Sequence, residues 1–169
     1  MASSLKEINN IIVQKSGGCD PTDPISKINE QIFLGQGRTT CYPELLTQLG
    51  ITHIVSIGKP PHKAVQMSSF EKLEIAGVED LESQVIINYF PIIFEFMRKA
   101  ISNGGKIYVH CEMGISRSAT AVVAFLRADG YFGSLQESYN HVKLNRSLIC
   151  PNAGFIRQLS EFFSEKLII

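Results

Sequence analysis

The stretch His110-Cys111-Glu112-Met113-Gly114-Ile115-Ser116-Arg117-Ser118-Ala119 decides how the rest of the chain is read. Before it, Lys106-Ile107-Tyr108-Val109-His110 alternates and is β-branched or aromatic, which predicts a buried strand. After it, Ser118 to Arg127 (SATAVVAFLR) reads as a buried helix. Strand, tight loop and helix together form a setting in which backbone can cradle an anion. The ten residues also bring a thiol, a guanidinium and a run of amides to one small volume.

Amides at a helix N-terminus lack an intrahelical partner, and with the helix dipole behind them they attract negative charge. Glu112, Met113, Gly114, Ile115, Ser116 and Arg117 can wrap their N–H groups around a tetrahedral oxyanion, with Gly114 supplying the backbone freedom. Phosphate fits that description. The same field acts on Cys111 at the floor of the loop, where the dipole and Arg117 favour a thiolate, the nucleophilic form. Arg117 can hold two phosphoryl oxygens in a planar fork, and Ser118 can donate its hydroxyl to the sulfur.

Val109 to Ala119 resembles the signature His-Cys-x5-Arg-Ser of the cysteine-dependent protein tyrosine phosphatases, and Gly114 to Ser118 resembles the dual-specificity branch in particular. KINEQIFLGQG (27–37), LGITHIVSI (49–57) and Pro151-Asn152-Ala153-Gly154-Phe155 with Gln158-Leu159 carry the same likeness, so it covers residues 26 to 165. The resemblance implies an α/β fold: a central twisted mixed sheet of about four to five strands flanked by helices, with the phosphate-binding loop between strand and helix. It implies a protein phosphatase that hydrolyses phosphotyrosine and phosphoserine/phosphothreonine through a phosphocysteine, with phosphorylated proteins as partners and no cofactor.

Cleaving a phosphate ester also needs a proton for the departing oxygen. Glu79, Asp80 and Glu82 in the turn-rich segment 77–83 are the candidates. The resemblance selects Asp80: these phosphatases carry an aspartate ten residues before the aromatic pair that opens a long helix, and here Tyr89 and Phe90 follow at that distance. Glu79 is the fallback. His110 is expected to prop the loop by hydrogen bonds, and Asn152 to cap the last helix, a contact to the catalytic region being the sharper alternative. Arg146 is weighed between a second phosphate contact and a surface ion pair.

Glu112 and Met113 depart from the small or basic residues often found at those positions. Glu112 is expected to point outward, because only the amides need to face phosphate. INEQIFLGQG and PNAGF also resemble the catalytically dead, phosphoprotein-binding members, so a catalytically weak phosphoprotein-binding module is one alternative reading. A phosphatase for a phosphoinositide or an RNA 5′ end is another; such relatives usually carry more lysine, or Gly-Arg-Thr-Gly, in the loop, and this loop has no lysine.

The surrounding chain is ordinary material for one domain: 169 residues, 44% hydrophobic and 19% charged. Equal numbers of basic and acidic residues, 16 of each, give no global attraction to nucleic acid or membrane, so any preference for anions is local. Cys19, Cys41, Cys111 and Cys150 show neither paired spacing nor the density of a disulfide scaffold, which implies a reducing compartment, cytosol or nucleus. No stretch approaches a membrane span, and no His/Cys/carboxylate cluster has metal-ligand spacing. Residues 1–26, turn-rich at SGGCDPTDP, are expected to be a flexible N-terminal arm, and 27–169 the catalytic domain, a monomer or weak oligomer.

Strands are expected at Ile28–Leu34, Thr52–Ile57 and around Leu73 and Ile75, and helices at Thr40–Leu49 and Gln84–Ile101. The second helix shows the stripe Ile86, Phe90, Ile93, Met97, Ile101, with Pro91 inside it, so that its regular part either starts near Phe90 or bends there. Ser134-x-x-Glu137 reads as a capping box opening a helix with the stripe Leu135, Tyr139, Val142. Phe155, Leu159 and Phe162 of the last helix are expected to close the core.

Overall fold

A computed structural model describes residues 4–15, 24–60 and 69–169. In chain order these form α1 (Leu5–Lys15), β1 (Ile25–Lys27), β2 (Ile32–Gln36), α2 (Pro43–Gln48), β3 (His53–Gly58), β4 (Glu71–Ala76), α3 (Phe90–Ser102), β5 (Ile107–Cys111), α4 (Arg117–Ala128), α5 (Leu135–Asn145) and α6 (Ala153–Phe163). The strands make one sheet in the order β1-β2-β5-β3-β4, antiparallel at β1 and β2 and parallel elsewhere. This is the expected mixed α/β sheet flanked by helices.

Strand periodicity sets the layers. Ile32, Leu34, Val55, Ile57, Ile107 and Val109 enter one apolar cluster with α3, α4, α5 and α6, while Phe33, Ile54 and Tyr108 enter a second with α1 and α2. Both faces are thus covered, as parallel strands require. The centre of the larger cluster is α4, where every residue from Ser118 to Leu126 is buried.

Residues 4–15 and 24–26 are not the loosely ordered arm expected for 1–26. Ser4 and Glu7 exchange capping hydrogen bonds, Ser4 N–H to Glu7 Oε2 at 2.7 Å and Glu7 N–H to Ser4 Oγ at 3.3 Å, and α1 follows. Ile8 and Ile12, four apart, are buried in the second cluster. Asn9 then satisfies the backbone of β1, donating to Ile25 O at 2.9 Å and accepting from Ile25 N–H at 3.2 Å. A boundary at 27 therefore cuts through a strand. Replacing Ile8 by alanine is expected to lower unfolding free energy by about 2–4 kcal/mol in denaturant titration, whereas a loose arm would leave the midpoint unmoved.

Other elements shift by a few residues, each for a local reason. The Asn29 carboxamide accepts from the Gln31 and Ile32 amides at 2.9 and 2.8 Å, a turn that delays β2 to Ile32. A 3-10 turn over Gly37–Cys41 precedes α2, which begins at Pro43. Regular α3 starts at Phe90 with Pro91 in its first turn. The Ser134/Glu137 capping box is present, and Phe162 is 46% exposed with its edge against Phe90 rather than buried. Most of the segment 58–69, which reads from the sequence as a loop with some positive charge at Lys59, His62 and Lys63, lies outside the described residues, as does Cys19; the described cysteines, Cys41, Cys111 and Cys150, are free.

Candidate active site

The end of β5 carries Cys111 to the carboxyl edge of the sheet, in register with Gln36 of β2, and α4 starts six residues later at Arg117. Cys111 is 3% exposed, and its Sγ accepts a hydrogen bond from Ser118 Oγ at 3.1 Å. Nucleophile candidate and hydroxyl partner therefore sit at the two ends of one loop.

What shapes that loop is a set of donors outside it. Cys111 O faces His110 Nδ1 at 3.2 Å, Glu112 O accepts from Gly37 N–H at 3.0 Å, and Ile115 O accepts from Cys150 N–H at 2.9 Å. Arg146 donates from Nη2 to Met113 O at 3.2 Å and from Nε to Gly114 O at 2.8 Å, and Thr120 N–H reaches Ser116 O at 2.8 Å. Every peptide bond among the described residues is trans, so a carbonyl turned one way sends the next N–H the other way. The amides of residues 112 to 117 are consequently aimed away from this ring of donors, as an anion-binding nest requires. Gly114 makes the path possible: its φ is 67°, and an added Cβ would collide with the Gly35 carbonyl.

Arg117 reaches back over the sheet edge, donating from Nη1 to Val78 O at 3.2 Å, while its buried Nε–H has no partner among the described residues. Gly58, with φ 91°, clears the space, since a Cβ there would strike Arg117 Nη1. Glu112 pairs with Lys59 at 2.6 Å, and Met113 is 46% exposed. The acid after Cys111 is thus engaged at the rim by a lysine from the end of the neighbouring strand.

Asp80 lies between β4 and α3 and is tied to this loop. Its Oδ1 accepts from Ser116 Oγ at 2.6 Å and from Asn152 Nδ2 at 2.7 Å, while Asn152 N–H donates to Ser116 Oγ at 3.1 Å. Asn152 Oδ1 also accepts from Phe155 N–H at 3.0 Å, so the residue caps α6 and touches Asp80 at once. The two readings of Asn152 are both realised. Gly154 allows the approach, because a Cβ there would meet the backbone of Glu82.

His110 is 1% exposed, and its Nε2 lies 2.7 Å from Ser56 Oγ. A carbonyl only accepts, so Nδ1 carries the hydrogen facing Cys111 O, and the Ser56 hydroxyl can donate to Nε2. Ser56 escaped the sequence reading, although a hydroxyl set between Val55 and Ile57 in a buried strand was a visible cue. Below, Tyr108 donates to Gln36 O at 2.6 Å, and burial pushes its hydroxyl well above the usual tyrosine range.

Arg146 lies inside the protein and does not form the surface ion pair that was one of its two readings. It is 2% exposed, behind the loop, with Nη1 on Ser26 Oγ at 3.1 Å in addition to its two loop carbonyls. The cue was spacing: Leu135, Tyr139, Val142 and Arg146 continue one helical stripe into the core.

Residues 32–165 match the family described as dual specificity phosphatase, catalytic domain. Over 138 residues the chain is 34% identical to dual specificity protein phosphatase 22-A of Danio rerio, spanning 82% of this chain and 64% of that protein. It is 31% identical over 140 residues to protein phosphatase Slingshot of Drosophila melanogaster, 83% of this chain but 13% of that one. The chain thus spans only part of the length of the curated relatives it matches. The crystal structure of human tyrosine phosphatase-like serine/threonine/tyrosine-interacting protein is similar at a TM-score of 0.74 and 30% identity, covering 83% of this chain and 95% of that one. With the match running across most of the sequence and including the Cys111 to Ser118 loop, the chain belongs to the dual-specificity phosphatase catalytic-domain family.

Proposed function

We propose that this protein hydrolyses phosphotyrosine and phosphoserine/phosphothreonine in proteins through a phosphocysteine intermediate. The observation that carries the reading is the convergence on one loop of the Cys111 sulfur, with Ser118 on it, and the Asp80 carboxyl, held by Ser116. Nucleophile and acid are thereby fixed relative to the same amides.

In the first step the Cys111 thiolate attacks phosphorus and the P–O ester bond breaks. Asp80 gives its proton to the departing oxygen, and the loop amides with Arg117 hold the equatorial oxygens as charge spreads over them. With both donors on Oδ1, the proton is left to Oδ2, the oxygen free to meet the leaving group. In the second step Asp80, now a carboxylate, takes a proton from water as that water attacks phosphorus. The S–P bond breaks, and Ser118 donates to the departing sulfur. Glu112 balances Lys59 at the rim, which supports a singly phosphorylated peptide over a polyanion such as a phosphoinositide headgroup. The need of Cys111 for a reduced sulfur supports a reducing compartment, cytosol or nucleus, as the site of the activity.

Purified protein under reducing conditions is expected to turn over p-nitrophenyl phosphate and to prefer phosphopeptides to phosphoinositides and 5′-triphosphorylated RNA. Tight phosphopeptide binding without turnover would transfer the chain to the phosphoprotein-binding reading, towards which its likeness to the human interacting protein points.

Asn152 provides a finer test. Asn152→Ser keeps a helix-capping oxygen but removes the amide that holds Asp80. Its kcat is expected to fall about 10-fold or more for alkyl phosphates, whose leaving oxygen needs the proton, and under about 3-fold for p-nitrophenyl phosphate, whose leaving group needs it least. Equal losses on both substrates would mean that Asn152 acts on the fold alone.

A further inference from the structure

Arg146 closes α5 as a fully buried cation, and its guanidinium spans two consecutive peptide groups of the loop. We propose that Arg146 is a positioning residue for oxyanion recognition: by holding the Met113 and Gly114 carbonyls on the outer side, it aims the Gly114 and Ile115 amides at the bound phosphate. This rests on the phosphatase reading of the loop and extends it to a residue that never touches substrate.

A trans peptide is rigid, so fixing one carbonyl fixes the direction of the N–H across the same C–N bond. Gly114 has a left-handed φ of 67°, where the chain has the freedom to place these two peptide planes in more than one way. Something must choose. The planar fork of arginine puts Nε and Nη2 on successive carbonyls at 2.8 and 3.2 Å, while Nη1 is anchored to Ser26 of β1 at 3.1 Å. A lysine offers one point of attachment and could not set both planes. The charge also lies behind amides that would face a dianion, in an interior where screening by water is weak.

The test uses the full chain with tungstate as the oxyanion probe, and compares Arg146→Lys, Arg146→Met and Arg146→Ala by calorimetric affinity, kcat and KM on p-nitrophenyl phosphate, and thermal unfolding. Arg146→Met is expected to weaken tungstate binding and kcat/KM together, roughly 10- to 100-fold, with Arg146→Lys intermediate. Added guanidinium at tens of millimolar should restore part of the activity of Arg146→Ala, while equimolar sodium chloride should not. A general loss of packing would show no such selective rescue.

If Arg146→Met does not fold, Arg146→Lys and the rescue decide. A folded R146K protein that binds tungstate as the native chain does, together with no guanidinium rescue of R146A, overturns the proposal and leaves the phosphatase reading standing. A native chain that binds no tungstate and turns over no phosphate ester overturns both.

Discussion

Replacing Cys111 by serine is expected to lower kcat for p-nitrophenyl phosphate by at least about 10^4-fold while leaving the fold and tungstate affinity nearly intact. The change swaps one buried atom for a smaller one, and Ser118 Oγ, 3.1 Å from the sulfur, can still donate to the new oxygen. None of the donors that orient the loop carbonyls is touched, so the amides keep their direction. What is lost is the nucleophile itself. A serine hydroxyl at neutral pH holds its proton, and His110 is engaged by Ser56 and the loop backbone rather than poised as a base for it. Steady-state kinetics with a matched binding isotherm checks the expectation. Retention of more than a few per cent of native kcat would falsify the covalent mechanism.

Arg117→Lys carries the second largest expected loss, about 10^2- to 10^3-fold in kcat/KM, with weaker tungstate binding as well. The guanidinium is pinned at one end by Nη1 on Val78 O, leaving the in-plane edge that carries Nε–H to meet two oxygens of a phosphoryl group. An ammonium keeps the charge and loses that planar, two-point grip. Because charge spreads over the equatorial oxygens as the ester breaks, kcat should fall more than tungstate affinity. If turnover and affinity both stay within about fivefold of native, charge alone suffices and the bidentate role assigned to Arg117 is wrong.

The loop was legible in the sequence because its chemistry is contiguous: strand, thiol, glycine, arginine and helix follow one another within about twenty residues. Contacts between distant segments were not legible in the same way. Asp80 meets Ser116 and Asn152 across 36 and 72 positions, and only resemblance singled out the aspartate. Arg146 lay on a readable stripe, but a charged side chain at its end argued for the surface, and the two loop carbonyls that lodge it inside could not be seen. At the amino end, the turn-rich segment after Lys15 outweighed the short Ser4/Glu7 signal, and β1, three residues long, is too brief for periodicity to register.

The contact between Gly114 and Gly35 constrains how this protein can vary. One glycine belongs to the turn after Cys111 and the other to β2, where an added Cβ would also strike the Pro24 carbonyl and the Tyr108 hydroxyl. Enlarging Gly114 would drive scaffold and turn apart, enlarging Gly35 would push β2 off Pro24 and Tyr108, and the left-handed φ of Gly114 is unfavourable for a side chain even were the space made. Variation in whom this protein serves must therefore enter at the margin, through positions such as Met113 and the Lys59–Glu112 pair, while the centre stays as it is.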